Sequence, residues 1–194
     1  MKSLEMNHLY KPQRRQDLRD WLADHAASEK ECWVVIDRAQ ANLTYLDVVE
    51  EAICFGWIDS TKKKLSKTEV AQRLSPRSKK SQWTELNKER ARRLIYLDQM
   101  TELGEMRLPD LSPERFVIDP RILRALEADS EIQQHFARFP ELYQRIKIDN
   151  IQRYPADNEL FERRLEKLLT STKANKRYGA WDDNGRLSSY KKDS

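Results

Sequence analysis

Apolar residues recur along this chain at the two spacings that distinguish helices from strands. Between residues 16 and 27 they return every three or four positions, which predicts a helix with one buried face. The continuous apolar, β-branched run at 32–36 predicts a buried strand. Shorter runs at 57–60 and 70–74 are expected to pair with it as antiparallel strands, with their lysine-rich connection in solvent.

The second predicted helix, at 44–55, has a recognisable start and end. Thr44 is expected to cap it, with Asp47 at the third position completing a carboxylate version of the capping box. Gly56 can adopt the left-handed conformation that ends a helix.

The third predicted helix, at 83–97, carries polar groups within an apolar stripe. Its side chains on one face are Trp83, Asn87, Arg90, Leu94 and Leu97. A buried guanidinium needs a partner, and the nearest acidic candidate in the predicted topology is Asp59.

A proline-punctuated boundary at 108–113 precedes a helical region. Asp119 followed by Pro120, Ser130 and Pro140 mark three helix starts, and a last helix is predicted at 158–170. The pattern therefore predicts an α+β fold with a small antiparallel sheet of about three strands, followed by an all-helical module. The predicted domains are 14–107 and 114–171, and the polar segment 172–194 is expected to be flexible, with Tyr178 and Trp181 able to dock part of it.

Composition limits the classes of function. With 35% charged residues and no apolar run near ~20 residues, we expect a soluble chain without a membrane span. The first twelve residues contain no apolar signal segment, so a cytoplasmic location is expected. Four glycines, three scattered histidines and the absence of a G-x-S-x-G motif argue against a P-loop, a dinucleotide fingerprint, a zinc site or a serine hydrolase. We expect no cofactor and no metal.

The positive charge is concentrated in one segment. The chain carries a net charge of +4, yet residues 61–93 hold twelve lysines and arginines against three glutamates. Residues 39–60, immediately before them, contain four carboxylates and no lysine or arginine. An acidic turn and a cationic segment are therefore neighbours in sequence.

Several motifs resemble a known bacterial family. The run from Glu50 to Ser60, which includes Cys-Phe-Gly-Trp-Ile-Asp, looks like the YdeI/OmpD-associated family, also labelled bacteriocin-protection proteins. Further matches are Ser75-Pro76-Arg77, Lys80-Ser81-Gln82-Trp83, Asn87-Lys88-Glu89-Arg90 and, more weakly, residues 161–167. The chain departs from that pattern at Ile36-Asp37-Arg38, where the family usually carries lysines. The resemblance implies a role in resistance to antimicrobial peptides or envelope stress, and it brings no catalytic residues.

The candidate site residues each have a structural and a functional interpretation. Two tryptophans beside two arginines form either part of the core or a stacking wall for a planar ligand. Asp59 and Arg90 form either a structural ion pair or one side of a pocket in which Arg77 and Lys80 bind an anion. The predicted ligand site comprises Trp57, Asp59, Arg77, Lys80, Trp83, Asn87 and Arg90. Cys54 is either an inert core thiol or a reactive one.

Three classes of function remain. We expect a small anionic ligand or a protein partner to bind the N-terminal domain, and the helical module offers a docking surface for a partner. The alternative is nucleic-acid binding through the basic segment 61–93, which predicts affinity that falls steeply with salt. Against this alternative, Glu85 and Glu89 interleave with the basic residues, as on an ordinary solvated helix face. A cationic peptide would be repelled by the same segment.

Overall fold

The computed structural model describes residues 9–40 and 42–191. Residues 1–8, 41 and 192–194, which include most of the segment searched for a signal and the end of the predicted tail, lie outside the described residues. The described chain divides into two compact units. The first comprises residues 9–82 and Arg90–Pro109, and the second comprises Trp83–Glu89 and residues 110–191. The fold is α+β with a helical C-terminal region.

The sheet of the first unit has four strands among the described residues, not the predicted three. They are β1 (Leu9–Tyr10), β2 (Cys32–Asp37), β3 (Trp57–Lys64) and β4 (Glu69–Pro76), arranged in the order β1-β2-β4-β3. β1 pairs with β2 in parallel, and β4 pairs with β2 in the predicted antiparallel direction. β3 is also antiparallel, but its partner is β4 and not β2. The sequence did not indicate β1 because two residues are too few to show an alternating pattern.

The predicted lysine-rich connection belongs to β3 itself. Lys62, Lys63 and Lys64 pair with β4, and the turn between the strands starts only after them. β3 lies at the edge of the sheet. Charged lysines on an edge strand discourage pairing with another chain, which gives these residues a structural role.

A β-bulge interrupts β3 between Asp59 and Lys62. Asp59 lies opposite Leu74 and Lys62 lies opposite Gln72, so three steps along β3 match two steps along β4. The Gln72 side-chain amide donates to the carbonyl oxygens of residues 60 and 61, each at 3.3 Å. Without the extra residue, Asp59 and Lys62 would point to opposite faces of the sheet; the bulge places them on the same face.

Helices α1 (Arg15–His25), α2 (Tyr45–Cys54) and α4 (Glu102–Glu105) belong to the first unit, together with the later part of α3 (Glu85–Tyr96). The predicted cap of α2 is confirmed: Thr44 Oγ1 accepts from Asp47 N at 3.2 Å, and Asp47 Oδ2 accepts from Thr44 N at 2.8 Å. Gly56 follows α2 with φ of 70°, as predicted.

The helices of the second unit enclose a core of their own. They are the first part of α3, α5 (Pro120–Glu127), α6 (Ser130–Arg138), α7 (Glu141–Gln152), α8 (Asn158–Lys173) and α9 (Arg186–Ser189). Their buried residues include Ile122, Phe136, Tyr143, Ile148, Phe161 and Leu168. Asp129, and not Ser130 as predicted, caps α6, because its carboxylate accepts from the backbone amides of residues 131 and 132.

Part of the C-terminal segment packs against this helical core. Tyr178 and Trp181 contact the core as the sequence allowed, and Leu187 on α9 is buried. The described part of the predicted flexible segment therefore contains ordered contacts. The burial of Leu187 is the one that the sequence did not indicate.

Candidate functional site

A pocket of about 350 Å³ opens on the first unit, between the end of β2, the start of α2 and the strand β3. Ile36, Leu43 and Val70 form an apolar base, because all three are buried. Its remaining lining is polar: Asp37, Arg38, Gln40, Thr44, Tyr45 and Lys62. The pocket thus combines apolar surface with convergent polar groups, as small-molecule sites usually do.

The end of β2 supplies one cation of this pocket. The Arg38 backbone amide donates to Thr68 O at 3.0 Å, and Asp37 Oδ1 accepts from Ala39 N at 3.0 Å. These bonds fix the turn that leaves the sheet, while the Arg38 side chain remains exposed. This is the position at which the sequence departs from the YdeI/OmpD-associated pattern.

The bulged strand β3 supplies the second cation. Lys62 lines the pocket because the bulge turns it toward the sheet face that also carries Asp59. The Tyr45 hydroxyl, at the first turn of α2, donates to Asp59 Oδ2 at 2.6 Å. This short bond to a carboxylate holds the tyrosine ring beside the pocket.

The charges of the pocket are unbalanced toward the positive. Among residues 9–40 and 42–191, neither Arg38 nor Lys62 forms an ion pair, although many other cations of the chain do. Asp37 is the one carboxylate in the lining, and one of its oxygens is bonded to its own turn. The arrangement can attract an anion and hold an attached apolar group.

Comparison with known proteins gives a family and no function. A family model described as a domain of unknown function, DUF8412, matches residues 10–107, slightly more than half of the 194 residues. The chain belongs to the DUF8412 family. No curated protein and no solved structure matches it. The DUF8412 segment contains the whole pocket.

The structure distributes the predicted ligand-site residues between the two units. Five of them, Trp57, Asp59, Arg77, Lys80 and Arg90, lie in the first unit, and the other two, Trp83 and Asn87, lie in the second. Within the DUF8412 segment, the negative charge of Asp59 acts on the Arg77 guanidinium.

Arg77 lies in the interior of the first unit, with 2% of its surface exposed. Nη1 donates to Ser81 Oγ at 3.1 Å, and the backbone amide donates to Gly56 O at 2.9 Å. Burial lowers the pKa of Arg77 to about 10, while the negative charge of Asp59 acts in the opposite direction. The Asp59 carboxylate accepts a hydrogen bond from the Tyr45 hydroxyl.

Trp57 is a core residue that also borders a second opening. Its side chain is buried, and Nε1 donates to Ala26 O at 3.2 Å. A pocket of about 220 Å³ is lined by Trp57 together with Pro76, Met106 and other residues of the first unit. The interpretation of Trp57 as a core residue is therefore supported, although part of its side chain also lines this second pocket.

The remaining predicted residues have mainly structural surroundings. Lys80 is exposed, the Asn87 backbone amide donates to Thr84 Oγ1 at 2.9 Å, and Trp83 O accepts from Arg153. Cys54 is fully buried. Burial raises the pKa of the Cys54 thiol to about 12, and this favours the inert interpretation because the thiolate is the reactive form.

Sequence reasoning missed a buried charge cluster in the DUF8412 segment. Glu50 and Glu51 on α2 are almost fully buried, and they receive hydrogen bonds from Arg15, Arg19 and Arg93 at 2.6–3.0 Å. The signal was present: two arginines four residues apart on α1, and adjacent glutamates inside an apolar helix. Among the described residues, no three histidine, cysteine or acidic side chains are grouped to hold a metal.

Proposed function

We propose that the first unit binds a small anionic ligand with an apolar part, in the pocket of Arg38, Tyr45 and Lys62. The observation that carries this proposal is the combination of an apolar base with two cations that have no carboxylate partner among the described residues. The bulge in β3 adds one residue to the strand and thereby directs Lys62 toward the apolar base of the pocket. A lysine on an ordinary solvated surface would not need this change of direction.

The ligand class follows from the lining. A volume of about 350 Å³ suits a compact molecule. The guanidinium and ammonium groups favour a carboxylate, sulfonate or phosphate, and the base formed by Ile36, Leu43 and Val70 favours an aliphatic or aromatic group. The Tyr45 ring, whose hydroxyl is bonded to Asp59, adds a flat surface at the edge.

A thermal-shift screen tests this proposal. Wild type, Lys62→Met and Lys64→Met are compared in a panel that includes benzoate, phenyl phosphate and hexanoate. Lys64 is the matched control, since it lies two residues further along β3, on the same face, outside the pocket lining. We expect stabilisation of wild type and Lys64→Met, and a reduced shift in Lys62→Met. Equal shifts in all three proteins would contradict the proposal.

Nucleic-acid binding is the competing function, and the same variants distinguish it. Contacts to phosphates along a strand would involve Lys62 and Lys64 alike, with an affinity that falls steeply with salt. Equal weakening of oligonucleotide binding by both substitutions would therefore favour the alternative. Because β3 lies at the sheet edge, its row of lysines is already explained by the need to discourage pairing with another chain. The row therefore does not require a nucleic-acid partner, and we prefer the small anion.

Two broader expectations accompany the pocket as parts of the proposal. Two buried, free cysteines are compatible with a reducing compartment such as the cytoplasm. The resemblance to YdeI/OmpD-associated proteins would connect the anionic ligand with resistance to antimicrobial peptides or envelope stress. Within residues 9–40 and 42–191, no helix is long and apolar enough to cross a bilayer.

A further inference from the structure

One lysine of the second unit lies in an unusual environment. Lys147 on α7 has only 4% of its surface exposed. Its Nζ lies 4.6 Å from the ring centroid of Tyr178 and 5.4 Å from that of Tyr143. Among the described residues, no carboxylate and no other hydrogen-bond acceptor contacts this amine. The two ring faces attract an ammonium group, but the cost of burying it without a polar partner is larger, so the net effect of this position is to favour the neutral amine.

The groups around the two tyrosines are cationic, and one of them, Lys167, also favours the neutral amine of Lys147. Lys167 on α8 places its Nζ 4.9 Å from the same Tyr178 ring, Arg164 acts on that tyrosine, and the Arg177 guanidinium lies 5.4 Å from the Trp181 ring. All of these groups are cationic. Burial lowers the pKa of Lys147 to about 8, and repulsion from Lys167 contributes to the shift. A considerable fraction of this amine is therefore neutral, and nucleophilic, near physiological pH.

The backbone next to the amine is unusually close. A Cβ at Gly179 would lie 3.1 Å from Lys147 Nζ, a distance at which the lysine would have to give way. Glycine thus leaves space beside the nitrogen where any other residue would place a side chain. Gly179 itself is exposed, so this space is on the solvent side of the amine.

We propose that Lys147 is a carbonyl-reactive amine that forms an imine with a small anionic aldehyde or 2-oxo acid, whose carboxylate is bound by Lys167 and Arg177. A desolvated lysine beside a second cation is the arrangement that activates amines for this chemistry. The neutral Nζ adds to the carbonyl carbon to give a carbinolamine. The carbon–oxygen bond then breaks, the oxygen leaves as water with the two amine protons, and the carbon–nitrogen double bond remains. No oxidant or reductant takes part.

The proposal predicts selective trapping of Lys147 in the full-length protein. The probe is glyoxylate with sodium cyanoborohydride, which reduces the imine to a stable secondary amine, and peptide mass spectrometry gives the modification rate at each lysine. Lys173 is the internal reference, because its Nζ is paired with Asp129 at 2.8 Å. At pH 7.5 we expect Lys147 to react at least about tenfold faster than Lys173, with a half-maximal rate near pH 8, because far more of its amine is neutral. Equal or slower modification of Lys147 would overturn the proposal.

Two further comparisons separate the parts of the proposal. In Lys167→Gln the repelling charge is absent, so the half-maximal rate should move to higher pH while the circular dichroism spectrum stays the same. An unchanged pH profile would exclude the role of Lys167. Propanal, a neutral aldehyde, should show a smaller preference for Lys147 than glyoxylate does. An equal preference would remove the carboxylate-binding part and leave only the reactive amine.

Discussion

Arg15 on α1 donates from Nε to Glu51 Oε1 on α2 at 2.6 Å, and only 1% of the Glu51 side chain is exposed. The same guanidinium donates from Nη1 to Glu50 Oε2 at 2.7 Å. One planar cation thereby bridges two buried carboxylates in a geometry that an ammonium group could not reproduce. Arg19 and Arg93 donate to the other oxygens of the same two carboxylates. This relationship joins the first two helices of the DUF8412 segment and supports the helix from which Tyr45 reaches the pocket.

Removal of the Glu51 carboxylate from this charge cluster should strongly destabilise the first unit. Glu51→Ala leaves Arg15 and Arg19 without their shared acceptor, and breaking a buried pair in this way costs about 3–5 kcal/mol. Chemical denaturation followed by circular dichroism measures the difference. The control is Lys11→Ala, which removes a more exposed ion pair with Glu69 and should cost much less stability than Glu51→Ala. Similar losses in the two variants would show that burial does not govern the contribution of Glu51.

Gly104 is predicted to tolerate no side chain. A Cβ there would lie 2.2 Å from the carbonyl oxygen of Cys54, which already accepts from Thr101 Oγ1 at 2.6 Å. Because the obstacle is backbone, Gly104→Ala must displace α4 or the end of α2, and we expect a loss of at least about 1–3 kcal/mol in unfolding free energy. Gly185→Ala is a useful comparison because it tests backbone strain without contact: Gly185, unlike Gly104, has a positive φ of 89°, and no atom lies within 4 Å of its Cβ position. A larger loss in Gly185→Ala would mean that backbone strain, and not contact, dominates.

The parts of the fold that could be predicted from sequence are those that depend on interactions between residues close together in the chain. The cap at Thr44, the turn at Gly56 and the strand β2 follow from residues close together in the chain, and each prediction is confirmed. The bulge in β3 depends on the Gln72 side chain from another strand, and the pocket depends on the bulge. The spacing of residues along the chain predicts neither the bulge nor the pocket. Lys62 was therefore assigned to the basic segment and not to the ligand site.

The residues of the candidate site also fall into those that the sequence indicated and those that only the structure shows. Asp59 was singled out as the nearest acidic candidate, in the predicted topology, for the Arg90 guanidinium. In the structure its negative charge acts on Arg77. Its hydrogen bond to Tyr45 joins residues fourteen positions apart on a helix and a strand, so it could only be found from coordinates. Arg38 was noted solely as a departure from a family pattern.

The Asp59 charge should stabilise the buried Arg77 guanidinium. Asp59→Asn keeps the shape of the side chain, removes that charge and weakens the bond from Tyr45, so we expect a loss of about 1–3 kcal/mol in unfolding free energy. Asp24→Asn, on the exposed face of α1, should change stability by less than about 0.5 kcal/mol. Thermal and chemical denaturation of both variants at neutral pH measures this. An unchanged Asp59→Asn protein would show that other contacts suffice for Arg77.

Lys147 should give the second unit a characteristic dependence on pH. Its folded pKa of about 8 is below its ordinary value of 10.5, so the unfolded chain binds more protons between these values. Stability should therefore increase as pH rises from about 8 toward 10.5, and the destabilising effect is fully present below about pH 8. The unfolding free energy of wild type minus that of Lys147→Met should rise over this range. A flat difference would show that the amine titrates normally in the fold.

Residue-resolved nuclear magnetic resonance locates the proposed anion site most directly. Uniformly ¹⁵N-labelled protein is titrated with the panel member that gives the largest thermal shift in wild type, and amide chemical-shift changes are mapped on the chain. We predict the largest changes at residues 36–45 and at Lys62, with the same pattern in Lys64→Met and a much weaker one in Lys62→Met. Changes centred instead on Arg77 and Lys80, or spread evenly over the lysines of β3, would contradict the assignment of the pocket.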